Sequence, residues 1–132
     1  MASTLAGYDD LGNPISISFE DLIPLIGGGK GVATAWVNFD GTTTPPTIRD
    51  SYNVSSVARL ATGNYEIYFT TPMDNANYSH LTIGENNNTN NLAVGFSNGG
   101  ATTTKLTIWY LNSADAVVNG SEITTHVFGG KN

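Results

Sequence analysis

From residue 32 onward, apolar and polar side chains alternate in short runs separated by turn residues. Over Val32–Phe39 the alternation places Ala33, Ala35, Val37 and Phe39 on one side and Val32, Thr34, Trp36 and Asn38 on the other, the two-residue period of a half-buried strand. Asp40-Gly41 ends that run. Tyr65, Ile67 and Phe69 share a face, Glu66, Tyr68 and Thr70 share the opposite one, and Ala61-Thr62-Gly63-Asn64 reads as a turn back to a strand over Val54–Leu60. These runs predict an antiparallel meander over residues 31–71.

The same style continues downstream. Leu81 and Ile83 alternate with Tyr78, His80 and Thr82, and His80 reads as a packed or interface polar group rather than a catalyst. Leu92, Val94 and Phe96 form a run closed by Ser97-Asn98-Gly99-Gly100, a strong turn signal. Over Lys105–Asn112 both sides are apolar, with Leu106, Ile108 and Tyr110 opposing Thr107, Trp109 and Leu111. In so small a chain this predicts one side on the core and the other on a second subunit. Asn119-Gly120 leads into a last strand over Ile123–Phe128, with His126 beside Phe128. Seven or eight short strands and little helix after residue 27 predict an all-β fold, a compact antiparallel β-sandwich or jelly-roll-like knob.

The first thirty residues differ from the rest. Residues 1–14 carry Leu5, Tyr8 and Leu11 among small and acidic residues and end at the turn signal Asn13-Pro14, too little apolar surface to fold alone. An arm ordered by a neighbouring chain is expected. Ser18-Phe19-Glu20-Asp21 is a helix-start signature, with Ser18 as the cap and Ile17 stapling on Leu22; alternatively Ile15, Ile17 and Phe19 alternate as a short strand. Leu22, Ile23, Leu25 and Ile26 form an apolar plug. Gly27–Gly31 then reads as a flexible joint. It is not a phosphate-binding loop, because Lys30 precedes Gly31 and a strand rather than Ser or Thr and a helix. The expected division is an arm over residues 1–29 and a β-rich knob over 30–132.

Composition narrows the choice of partner. Only 12% of the 132 residues are charged, against about a quarter in typical soluble proteins, and amides and hydroxyls replace them on the surface. Such a surface is desolvated cheaply in a symmetric assembly. With a net charge of -6 and five scattered basic residues, neither nucleic acid nor an anionic membrane is an expected partner. There is no cysteine, MASTLAGYDDLG lacks the basic and apolar regions of a secretory signal, and no apolar run approaches the roughly 18 residues of a membrane-spanning helix.

Three strings give a more specific pointer. AWVNFDGT, then IRDSYNVSSV, then TGNYEIYFTTPM with DNANY, resemble the C-terminal domain found in many bacteriophage tail-fibre and related virion proteins. The resemblance covers residues 30–83 well and the remainder only in style. It implies a β-rich, usually trimeric knob on a fibre with host-attachment duty. Members are often the end of a far longer chain, whereas here the matched stretch begins near residue 30, so no long shaft is expected. That departure keeps a capsid decoration, cement or head-fibre protein open as an alternative.

Chemistry offers little beside this. No G-x-S-x-G elbow accompanies His80 and His126, and Asp9, Asp10, Asp40, Asp50, Asp74 and Asp115 fit no metal-loop spacing, so neither an enzyme nor a cofactor is expected. Glu66, Asp74, Glu85 and Glu122 supply candidates for a glycan-cleaving pair, but cleaving fibre proteins are usually much larger chains. Sugar binding without cleavage needs only exposed rings and amides, which Tyr52, Tyr68, Tyr78 and the polar tip GENNNTNN supply. The sequons at Asn53, Asn77 and Asn119 are assigned no glycans.

Position then sets the expected roles. Leu5, Tyr8, Leu11, Leu22, Ile23, Leu25 and Ile26 are expected to dock on the particle, against a tail baseplate or adaptor protein or a major capsid protein. Trp36, Tyr68, Trp109 and Leu111 are expected between subunits of a homotrimer. Glu85, Asn86, Asn87, Asn88 and Thr89 are the expected receptor contact, with a host surface glycan as ligand.

Overall fold

The computed structural model describes residues 4–18, 31–86, 89–96 and 100–132. All regular structure among them is β: β1 (Thr4–Tyr8), β2 (Pro14–Ser18), β3 (Ala33–Asp40), β4 (Thr47–Tyr52), β5 (Val54–Ala61), β6 (Asn64–Phe69), β7 (Tyr78–Asn86), β8 (Thr89–Phe96), β9 (Lys105–Leu111) and β10 (Glu122–Gly129). The chain divides into two compact units, Met1–Val32 and Ala33–Asn132.

In the first unit β1 and β2 pair antiparallel from Thr4↔Ser18 to Tyr8↔Pro14. The turn is built by Asp9. Its Oδ1 accepts the backbone N–H groups of Leu11 (2.9 Å) and Asn13 (2.8 Å), and its Oδ2 accepts the Asn13 side-chain amide (2.9 Å). Gly12 supplies the left-handed backbone conformation, φ 82°, that closes the turn. The segment expected as an arm ordered by a neighbouring chain thus contains a hairpin, its two strands paired with each other. Local turn chemistry orders it despite the shortage of apolar surface. Ser18, expected as a helix cap, ends a strand, so the strand alternative holds for Ile15 and Ile17; Phe19, the plug and Lys30 lie outside the described residues.

The second unit is one eight-stranded antiparallel sheet in the order β4-β3-β10-β7-β8-β9-β6-β5. Its outermost strands, β4 and β5, are consecutive in the chain and separated by Asn53 alone. The sheet is consequently rolled on itself into a sandwich whose inward side chains meet in a single core. Ala35, Val37 and Phe39 from β3, Tyr65 and Ile67 from β6, Leu106, Ile108 and Tyr110 from β9, and Ile123 and Val127 from β10 are fully buried there. Phe39 and Tyr65, far apart in ladder order, meet edge to face with ring centroids 5.2 Å apart. The Thr82 and Thr125 hydroxyls satisfy each other at 2.9 Å inside the core.

Asn53 makes the corner possible. It adopts φ 53°, a left-handed conformation that Asn tolerates better than most residues. Its side-chain amide donates to the carbonyls of Thr34 and Thr71, both at 3.1 Å, and its Oδ1 accepts the Thr71 N–H at 2.7 Å. At the far end of β5, Arg59 reaches from its strand to the carbonyls of Gly41 and Thr42, both at 3.0 Å, and to the Thr44 hydroxyl. Side chains, rather than a strand ladder, thus tie the seam between the sheet's two edges.

Several expectations meet the structure directly. Ala35, Val37 and Phe39 do face inward, and Ala61↔Asn64 closes the expected β5–β6 hairpin. The meander is corrected: β3 pairs with β4 and β5 with β6, but the two hairpins occupy opposite edges of the sheet. β4 was missing from the sequence reading because four of its six residues, Thr47, Arg49, Asp50 and Ser51, are polar and a register shift opposite Asn38 and Phe39 breaks the alternation. The tip read as a polar loop over residues 84–91 is shorter than expected, since Asn86↔Thr89 continues the β7–β8 ladder almost to its end. Backbone pairing continues there without apolar side chains because each peptide carries its own donor and acceptor.

Candidate functional site

The outer side of the β4-β3-β10-β7 layer is built by register. Trp36 stands opposite Tyr52 on one side and His126 on the other, and His126 stands opposite Leu81. Paired residues share a face, so Tyr52, Trp36, His126 and Leu81 form one row across four strands. The Trp36 and His126 rings are stacked, with centroids 6.5 Å apart and planes 24° from parallel. Ile83 and Phe128 flank the row. Exposures of 61% for Leu81, 57% for Tyr52, 41% for Ile83 and 38% for Phe128 make this a contiguous apolar surface in water rather than scattered exposed residues.

Polarity changes along the strands. Two residues beyond the apolar row, Asp50, Asn38, Thr124 and Ile83 form the next outward row. Beyond that, Asp40 follows the inward Phe39, and Glu122 stands opposite Glu85. The Asn38 amide donates to Glu122 Oε1 at 2.9 Å and to the Thr124 hydroxyl at 3.1 Å. Arg49 lies 3.8 Å from the Asp40 carboxylate and donates to the Ser121 carbonyl at 2.7 Å. Hydrogen bonds from the Thr42 hydroxyl and backbone, with a smaller contribution from Arg49, hold the Asp40 carboxyl below its ordinary range.

The other outer layer, over β6 and β9, has a different character. Glu66 is clamped between the Lys105 ammonium and the Tyr68 hydroxyl, and the Lys105 Nζ lies 5.7 Å from the Tyr68 ring centroid. Those two hydrogen bonds, Lys105 first, hold Glu66 below the usual carboxylate range, and Glu66 in turn raises both Lys105 and Tyr68. A carboxylate fixed in its charged form this way suits a permanent ion pair, not a proton donor. Trp109 and Leu111 lie on the same outward side, each half-buried.

The expected site residues are therefore divided. Trp36 is on one outer layer, and Tyr68, Trp109 and Leu111 are on the other. Of the expected docking set, Tyr8 and Leu11 are strongly exposed on the hairpin; the side chain of Leu5 and all of Leu22, Ile23, Leu25 and Ile26 lie outside the described residues. Of the expected receptor tip, Glu85 is exposed, Asn86 ends β7 and Thr89 opens β8, while Asn87 and Asn88 lie outside the described residues. Of the candidate cleaving carboxylates, Glu85 and Glu122 are brought opposite each other on one layer, whereas Glu66 is on the other and Asp74 accepts the Asn132 N–H at 2.9 Å.

His126, Leu81, Ile83 and Phe128 had not been singled out for a surface role, and Tyr52 had been read only as one of the rings available for sugar binding. The alternation around Leu81 was legible, but its direction is inverted relative to hydrophobicity: Tyr78 and Thr82 face the core and the two aliphatic residues face water. The signal lay in that mismatch. His80, on the inward side, is half-buried, and burial holds its imidazole below the ordinary histidine value. No protein-family model, no curated protein and no solved structure matches this chain.

Proposed function

We propose that this chain is a non-enzymatic structural protein of a bacteriophage particle, a short tail fibre whose knob assembles as a homotrimer and contributes to host attachment. The observation that carries the reading as one component of a larger particle is the uncovered Tyr52, Trp36, His126, Leu81 row with its flanking Ile83 and Phe128. A sheet face this apolar is costly to leave in water and is ordinarily covered by another protein surface. Trp109, Leu111 and Tyr68 on the opposite layer give the knob a second, non-equivalent face. Two unlike faces allow the knob to meet its own copies through one and another component of the particle through the other. The virion setting rests on the resemblance of AWVNFDGT, IRDSYNVSSV and TGNYEIYFTTPM to tail-fibre C-terminal domains.

The hairpin favours particle docking as the task of the first unit, because Tyr8, Leu11 and Ile15 are exposed on it. Light scattering on the purified chain tests the assembly: a trimer is expected, and a Trp109→Asp change is expected to yield monomers or insoluble protein. A soluble trimer of that variant refutes the assignment of the β9 face. Electron microscopy of particles, with the chain labelled, separates a tail location from the alternative of a capsid decoration protein. A second reading, glycan binding, is favoured by the adjacent Tyr52 and Trp36 rings bordered by Asn38 and Thr124. It predicts a soluble monomer that binds a polysaccharide and loses binding on Tyr52→Ala.

A further inference from the structure

Charge sets the chemistry of whatever covers the apolar row. Within about 13 Å along the strands, four residues at roughly 3.3 Å each, the same outer face passes from Trp36, His126 and Leu81 to Asp40, Glu122 and Glu85. Asp50 adds a further carboxylate on the row between. Glu122 and Glu85 are like charges set directly opposite each other, a destabilising arrangement in the isolated fold. Asp40 alone has a cation at hand, Arg49.

The described basic side chains are already engaged within the chain. Arg49 bonds the Ser121 carbonyl and faces Asp40, and Arg59 bonds the Gly41 and Thr42 carbonyls. Lys105 bonds Glu66, and Lys131 donates to the Pro72 carbonyl at 2.7 Å. Among the described residues, only Arg59 and Lys131, both held on neutral carbonyls, are cations not set against a carboxylate, so a second copy of this chain, with its net charge of -6, would bring more carboxylates than cations to Glu85, Glu122 and Asp50.

We infer that the outer face of β4-β3-β10-β7 docks a different protein, one whose apolar patch is flanked by lysine or arginine side chains spaced to reach Glu85 and Glu122. This deepens the structural reading given above and rests on it for the particle as its setting. It leaves self-association to the Tyr68, Trp109 and Leu111 face. The apolar row supplies the contact area, and the carboxylates choose the partner by sign and register.

The test uses the full chain and two labelled synthetic peptides. One carries leucine and phenylalanine at alternate positions followed, about 13 Å further along the extended strand, by two lysines; its twin has glutamates instead. Fluorescence anisotropy at low salt is expected to show the lysine peptide binding about tenfold more tightly, a gain of the size two exposed ion pairs and the removal of like-charge repulsion supply. The preference is expected to shrink in 0.5 M salt. Combining Glu85→Gln with Glu122→Gln is expected to abolish the preference while leaving the thermal midpoint near that of the parent, and Leu81→Asp is expected to abolish binding of both peptides. Equal binding of the twins, or a preference that survives the double glutamine variant, overturns the inference. So does competition of a neutral polysaccharide with the lysine peptide, or conversion of an oligomer to monomers by Leu81→Asp, which puts a second copy on this face. A chain that is monomeric yet discriminates the peptides overturns the trimer proposal and supports this one.

Discussion

The N-terminal hairpin and the knob are both antiparallel β-structure, yet they are held by different means. In the hairpin, order comes from one turn: Asp9 collects the Leu11 and Asn13 donors while Tyr8 and Leu11 stay in water. In the knob, order comes from side chains distant in sequence that meet in one core, such as Phe39 with Tyr65 and Thr82 with Thr125. A few hydrogen bonds in water shape a short segment but contribute little net stability, whereas a buried core supplies cooperativity. The contrast predicts two independent responses to substitution.

The largest effect belongs to the core. Ile108→Ala, at a fully buried β9 position, is expected to cost the knob about 2–5 kcal/mol in urea unfolding and to leave the hairpin's NMR signals in place. Loss of both together breaks the contrast. Next comes Thr125→Val, which leaves the Thr82 hydroxyl buried without its partner and is expected to cost about 1–3 kcal/mol, again only in the knob.

A smaller effect depends on pH. Burial pushes Tyr65 and Tyr110 up to about 12. A phenol raised in the folded state contributes stability that is fully present below its ordinary value of about 10 and is lost as pH rises toward the folded value. Knob stability should therefore fall between about pH 10 and 12. Tyr110, whose buried hydroxyl has no hydrogen-bond partner, offers the clean variant: Tyr110→Phe is expected to flatten that decline without weakening the fold near neutrality. A decline as steep as the parent's assigns the alkaline loss elsewhere. The smallest effect is Asp9→Ala, expected to erase the hairpin's cross-strand NMR contacts while moving the knob's midpoint by less than about 0.5 kcal/mol, the usual range for changes at exposed positions.

Much of the knob was legible because half-buried strands write their orientation into alternate residues. The inward Ala35, Val37 and Phe39, the Thr62-Gly63 turn and the inward side of β9 all followed from period and turn chemistry. Strand order did not, because nothing local to Glu122–Gly129 indicates that it lies between β3 and β7. β4 escaped because an edge strand with a register shift loses its alternation, and the hairpin escaped because its stability lies in one aspartate rather than in apolar content. The candidate surface was legible only in fragments: Trp36 and Tyr52 were visible separately, and they join each other, His126 and Leu81 through pairings across the sheet.

The position of β10 has a consequence for biosynthesis. Strands β3 and β7 leave the ribosome well before β10, and each needs β10 as its neighbour in the sheet. Until it arrives, the nascent polypeptide carries two unpaired backbone edges and an unfilled slot where Ile123 and Val127 belong, the kind of surface that recruits chaperones or sticks to a sister chain. A stalled product ending near residue 120 should therefore be insoluble, and adding residues 122–129 in trans as a peptide should rescue it by filling that slot.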